Sequence, residues 1–126
     1  MKNKSLKIFT RYADKGASSR LRCLQYIPLL ADSFDISVNA LLSNNYIDHI
    51  YYHKSYSIFR VMMDYIKRTF VLLTCHKTDI LWIEKELFPY VPYFIERLFL
   101  HNKKYVIDLD DAWFLRYNES HNPFIK

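Results

Sequence analysis

Glycine is nearly missing from this chain: Gly16 is the only one among 126 residues. That scarcity excludes a complete GxGxxG fingerprint or a Walker phosphate loop, and with them a glycine-rich β fold. Cysteine is almost as scarce. Cys23 and Cys75 stand alone in helical patterns, so neither a CxxC motif nor a disulfide framework is available. No apolar run approaches the roughly 18 residues that a spanning helix requires. The charged start at Met1–Ser5 is not followed by the apolar segment of a secretory signal. These absences point to a cytosolic chain. His49 and His53 lie four apart, but without the glutamate of HExxH or a third ligand nearby, so no metal site is expected.

What remains is apolar, aromatic and basic. Hydrophobic residues make up 51% of the chain and aromatics 17%, which excludes general disorder. The length suits one domain over residues 1–126 with a core of its own. The formal charge of +5 comes from 18 basic and 13 acidic residues and is unevenly spread. Residues 1–22 carry Lys2, Lys4, Lys7, Arg11, Lys15, Arg20 and Arg22 against Asp14 alone. Such a cluster suits phosphates or an anionic membrane surface, and a solvated basic terminus accounts for it equally well.

Strand and helix patterns alternate. Leu6–Thr10 reads as a first strand, followed by a loop from Arg11 to Ala17 with Gly16 as its flexible point. Ser18 or Ser19 is the expected N-cap of a helix with Leu21, Leu24, Ile27 and Ala31 on one stripe, disturbed at Pro28. Phe34–Leu42 is a second strand, and residues 43–56 form a tyrosine-rich connection with room for a short helix at Tyr46–Tyr52. Phe59, Met62, Ile66, Phe70 and Leu73 then recur at three- and four-residue steps. They predict the buried face of a helix, with Arg60, Asp64, Lys67 and Arg68 off it. Asp79–Glu84 is an apolar strand suited to burial on both faces. Pro89 and Pro92 suit the opening of a helix that buries Phe94, Ile95, Leu98 and Phe99. Tyr105–Ile107 reads as a short buried strand. The alternation predicts an α/β, Rossmann-like parallel sheet with helices on both faces and right-handed crossovers.

In a parallel sheet the carboxyl ends of the strands share one edge, where ligands sit. The loop after the first strand, Glu84–Glu86 and Asp108–Asp111 therefore belong together. Acids at strand ends are costly to desolvate unless hydrogen bonds, cations or a ligand compensate. Asp108, Asp110 and Asp111 thus mark a candidate active-site edge, with strand termination and turn capping as the plain alternative. The helix start at Ser18–Arg20 adds backbone N–H donors and a positive dipole end suited to a phosphate, reinforced by Arg20 or Arg22. Glu86 reads equally as a ligand for a sugar hydroxyl or as a cap for the helix after Pro89.

Three stretches carry a resemblance: Gly16-Ala-Ser-Ser-Arg-Leu-Arg-Cys-Leu-Gln-Tyr-Ile-Pro28, Ile83-Glu-Lys-Glu-Leu-Phe-Pro89, and Ile107-Asp-Leu-Asp-Asp-Ala-Trp-Phe114 with Asn122-Pro-Phe124. In this order they resemble the amino-terminal domain of bacterial family 4 glycosyltransferases, over about Lys7 to Phe124. The resemblance implies the amino-terminal half of a GT-B architecture, in which two Rossmann-like domains face each other across a cleft. It implies metal-free transfer of a sugar, with retention, from a nucleotide-sugar donor to a saccharide or lipid-linked acceptor, and no cofactor. By the same resemblance Gly16, Ala17, Ser18, Ser19 and Arg20 form the loop near the donor diphosphate. Glu84 and Glu86 join the substrate-binding set, and Asp110, with Asp111 beside it, takes the catalytic-pocket position. The family's glycine pair is here Gly16-Ala17. Its carboxyl-terminal donor domain is not within these 126 residues. The expectation is a chain inactive alone: a fragment, a truncated product, or a subunit that needs a separate donor-domain chain, cytoplasmic with peripheral contact at the inner face of the membrane.

Other readings share parts of the pattern. Asp108-x-Asp110 also matches the DxD with which metal-dependent glycosyltransferases hold a donor diphosphate through a divalent cation. The Ser18–Arg20 and Ile83–Pro89 matches point away from it. A receiver domain would place an acidic pair just after the first strand, where this chain has Lys7-Ile-Phe-Thr-Arg11. A non-catalytic interaction module or a nucleic-acid-binding domain would suit the basic charge, yet no aromatic platform is interleaved with the basic residues. Trp113, Phe114, Tyr117 and Phe124 crowd the segment after the last strand and predict an apolar surface there.

Overall fold

The computed structural model describes residues 3–112, 115–119 and 121. Four strands, β1 (Lys4–Tyr12), β2 (Phe34–Leu42), β3 (Ile80–Glu84) and β4 (Tyr105–Asp108), form one parallel sheet in the order β2-β1-β3-β4. Helices α1 (Ala17–Arg22) and α2 (Ile27–Leu30) join β1 to β2. Helices α3 (Asn44–Tyr51) and α4 (Ile58–Thr74) join β2 to β3, α5 (Tyr93–Leu100) precedes β4, and α6 (Leu115–Asn118) follows it. The chain steps from β1 to β2 in one direction and from β2 through β3 to β4 in the other. Right-handed crossovers then put α1 and α2 on one face and α4 and α5 on the opposite one. Alternating side chains build a core on each. Leu6, Ile8, Ile80 and Trp82 pack with Cys23, Ile27 and Leu30; Phe9, Leu81 and Ile83 pack with Leu72, Cys75 and Leu100. The fold is α/β and Rossmann-like, as the alternation predicts.

The helices sit differently from their patterns. Arg68, expected off the buried stripe, is only 1% exposed. Its guanidinium donates to the carbonyl oxygens of Thr10, Asn39 and Leu87 and to Asn39 Oδ1. Leu72, Tyr65 and Val71 share that inward side. The predicted core stripe faces away from the sheet: Phe59 is 70% and Phe70 64% exposed, and Met62, Ile66 and Leu73 are exposed with them. The physical reason is polar. Four oxygens at the strand ends form a ready-made site for a planar, five-donor cation, and apolar periodicity does not register it. Burial pushes the Arg68 pKa down to about 9, so the group still carries its charge at neutral pH.

Smaller departures have equally local causes. In α5, Ile95 and Phe99 are half-buried but Phe94 and Leu98 are exposed. Glu96 turns inward instead and accepts the Phe88 N–H at 2.7 Å. β4 is an edge strand with Tyr105 and Val106 exposed, not a buried one. The first helical segment breaks at Cys23 and resumes with Pro28 in the first turn of α2, so the expected stripe dissolves: Leu21 and Ala31 are exposed. Gly16 has φ −73°, an ordinary value; a Cβ there would lie 2.3 Å from Tyr12 Cβ, so close approach rather than flexibility requires glycine. Trp113, Phe114 and Phe124 lie outside the described residues.

Replacing Arg68 with Met leaves the buried carbonyls of Thr10 and Leu87 and the partly buried one of Asn39 without this donor, and is expected to cost about 3 kcal/mol or more in urea unfolding. Phe70→Ser, on the outward side of the same helix, should stay within about 0.5 kcal/mol of the wild type. Equal losses for the two variants would contradict the helix orientation.

Candidate functional site

Strand order reverses between β1 and β3, the place where an open α/β sheet offers a crevice beyond its carboxyl ends. Here the crevice is filled by the protein's own carboxylate. The β1–β3 pairing ends at Phe9 and Ile83. The next inward-facing amide, Arg11 N–H, donates to Glu84 Oε2 at 3.0 Å. Ser19 Oγ donates to the same oxygen at 2.6 Å and accepts the Tyr12 N–H at 2.9 Å. Ser18 Oγ donates to Oε1 at 2.7 Å. Glu84 is 1% exposed. The N-cap of α1 is Gly16, whose carbonyl accepts the Arg20 N–H; it is neither Ser18 nor Ser19, because both hydroxyls are drawn to Glu84. The loop is thus latched from behind by a fixed negative charge.

Around this latch lies a second set of charges. Arg22 grips Asp108 with two donors, Nε to Oδ2 at 3.0 Å and Nη2 to Oδ1 at 2.5 Å. Its Nη1 is 3.7 Å from Asp110 Oδ2, and Lys85 Nζ is 3.2 Å from that same oxygen. Lys85 adopts φ 63° and its N–H donates to Asp108 O, which aims its side chain along the edge. Glu86 meets Arg11 at 3.6 Å and the Tyr117 hydroxyl at 2.5 Å. Glu96, not Glu86, holds the backbone that leads into α5.

Of the residues singled out from sequence, Ser18, Ser19, Arg22, Glu84, Glu86, Asp108 and Asp110 come together on this edge. Ala17, Arg20 and Asp111 are exposed, and Arg20 Nη1 donates to Asp14 O at 3.3 Å. Lys85 was not singled out from sequence; Arg11, expected in a basic cluster, pairs with Glu86, and Tyr117, expected on an apolar surface, is half-buried with its hydroxyl on Glu86. Lys85 had a usable signal, as the one cation inside the Glu84–Glu86 run.

Partial burial works to raise the Asp110 pKa, but the Lys85 hydrogen bond, then a hydrogen bond from Asp110's own backbone, then the charges of Lys85 and Arg22 outweigh it and hold the group below its ordinary 3.8. The hydrogen bonds that Arg22 donates to Asp108 raise the Arg22 pKa. Burial first, and the Glu84 and Asp108 charges second, push the Cys23 thiol up to about 12, which removes it as a nucleophile near neutrality. Among the described residues no group of three or more His, Cys, Asp or Glu is placed to hold a metal ion, and no helix is long and apolar enough to cross a membrane.

An open groove of about 590 Å³ adjoins the edge on the α1–α2 face. Leu21, Tyr26, Leu29, Leu30 and Trp82 line it, and Arg22 and Asp108 close its polar end. The Tyr26 and Trp82 rings stand 6.4 Å apart at 34°. The groove exists because α1 and α2 are short and leave the β3–β4 side of this face uncovered, with Val106 exposed. No family model, no curated protein and no solved structure matches this chain.

Asp110 supplies a pH test. Its folded pKa is depressed, so its stabilisation is fully present above about 3.8 and fades as pH falls through the folded value. The stability difference between wild type and Asp110→Asn, from urea titrations at a series of pH values, should be flat from neutrality down to about pH 5 and shrink below about pH 4. A difference unchanged down to pH 3 would contradict the Lys85–Asp110–Arg22 arrangement.

Proposed function

We propose that the groove beside Trp82 binds a saccharide acceptor, and that the chain is the amino-terminal, acceptor-side part of a retaining glycosyltransferase of GT-B architecture. The observation that carries this is the composition of the groove. Sugars present apolar C–H faces and hydroxyl edges. Trp82 and Tyr26 suit the first, and Arg22 and Asp108 suit the second, with Asp110 outside the lining but 3.7 Å from Arg22. In this reading Asp110, kept ionised by its two cations, orients an acceptor hydroxyl or stabilises positive charge developing at the transferred sugar. The resemblance of Gly16–Pro28, Ile83–Pro89 and Ile107–Phe114 supports the same reading. The first loop is largely spoken for within the chain: the Ser18 and Ser19 hydroxyls are engaged by Glu84, and the Gly16 N–H donates to Ala13 O at 2.9 Å. The nucleotide-sugar donor is held by a domain outside these 126 residues, in this chain's own continuation or in a partner. Oriented binding of both substrates supplies much of the rate, so these residues alone transfer nothing. The reading puts the chain in the cytoplasm, where buried thiols such as Cys23 and Cys75 stay reduced.

Titration of the chain with a panel of saccharides, followed by NMR at the Trp82 indole N–H, tests the proposal. Saturable shifts at Trp82 and Arg22 are expected, with affinity about tenfold weaker in Asp108→Asn, the loss of one good charged hydrogen bond. No saturable shift at the groove with any saccharide would overturn the acceptor assignment. Sugar transfer by the chain without added protein would overturn the division of labour.

A further inference from the structure

Helix α4 is apolar on two opposite sides. At 100° per residue, Phe59, Ile66 and Phe70 fall within about 20° of the direction opposite Arg68, and all three are exposed. Met62, Met63 and Leu73 flank them and are also exposed. In the same layer α5 turns Tyr93, Phe94 and Leu98 outward. A helix apolar on both sides is ordinarily covered on both, and an exposed apolar surface of this kind marks an interaction site.

Charge identifies what covers it. Arg60, Lys67 and Arg97 are exposed on these two helices. The acids of the same helices are withdrawn: Asp64 is half-buried with an oxygen 3.8 Å from Lys67, and Glu96 is buried. The outward surface of α4 and α5 therefore combines large apolar side chains with cations and no exposed carboxylate. An anionic bilayer is complementary to both features at once, since apolar groups enter the acyl boundary while Lys and Arg stay with the lipid phosphates. A second copy of this chain packed through the same layer would bring Arg60 and Lys67 no exposed carboxylate of that layer to pair with.

We propose that the α4–α5 layer docks this chain onto an anionic phospholipid surface. α4 lies in the interface with Phe59, Ile66 and Phe70 inserted and with Arg60 and Lys67 at the headgroups. The contact is peripheral, and it lies on the face of the sheet opposite the saccharide groove. It does not depend on the groove reading, and it leaves the groove open while the protein is bound.

Co-sedimentation of the full chain with vesicles of phosphatidylcholine containing about one-third phosphatidylglycerol, compared with phosphatidylcholine alone, tests this. Partition into the anionic vesicles should be at least about tenfold stronger and should fall as salt is added. Phe70→Ser, which leaves the inward side of α4 intact, should weaken binding about tenfold. Arg60→Glu combined with Lys67→Glu should remove the preference for anionic lipid, and Tyr52→Ser, at an exposed aromatic outside the layer, should change nothing. Circular dichroism confirms that each variant is folded. Equal partition into both vesicles, no partition, or binding indifferent to Phe70→Ser would overturn the proposal. So would a dimer in sedimentation equilibrium that Phe70→Ser dissociates while vesicles are ignored.

Discussion

The peptide unit between Thr10 and Arg11 is held between two buried charges. Its carbonyl accepts from Arg68, and its N–H donates to Glu84. Both ions are 1% exposed, and they approach from opposite faces of the sheet, Arg68 on α4 and Glu84 toward α1. Burying either charge costs several kcal/mol. Neither offsets that cost through a direct ion pair. Each is satisfied by peptide and hydroxyl groups, while the peptide's dipole, positive at N–H and negative at C=O, is aligned between the anion and the cation. The arrangement fixes where β1 ends, where Tyr12 turns, and where α1 begins.

The rest of the edge depends on that point. Since Ser18 and Ser19 are tied to Glu84, the following turn of α1 delivers Arg22 to Asp108, and Arg22 in turn closes the groove. Lys85, one residue beyond Glu84, reaches Asp110 from the other side. The inner charges are sealed and structural. The outer ones are partly buried pairs, and under the proposed acceptor reading a hydroxyl-bearing ligand shares them without unmaking the fold.

The strands and their carboxyl-edge acids were legible in the sequence because short β-branched and aromatic runs bounded by polar residues have few other uses. β2 coincides with its predicted span, and Glu84, Asp108 and Asp110 lie on the edge where parallel strands must end. The helix faces were not legible. α4 has one stripe with clean apolar spacing and another interrupted by Arg68, and the interrupted one is buried. The deciding term was a set of oxygens supplied by Thr10, Asn39 and Leu87, residues 19 to 58 positions away, which no local pattern contains. The serine roles were misread for a related reason. A hydroxyl at a helix start suits an N-cap, but a carboxylate from β3 competes for it and, being charged, wins.

Amide hydrogen exchange at Arg11 tests this account most directly. With its N–H on a sealed carboxylate, Arg11 should exchange as slowly as the amides of Ile8 and Phe9 in the middle of β1, and Glu84→Gln should speed Arg11 and Tyr12 well ahead of them. Arg11 exchange within about tenfold of an unfolded chain in the wild type, or a Glu84→Gln protein whose Arg11 and Tyr12 remain as protected as before, would contradict the charge-clamped peptide on which the edge is built.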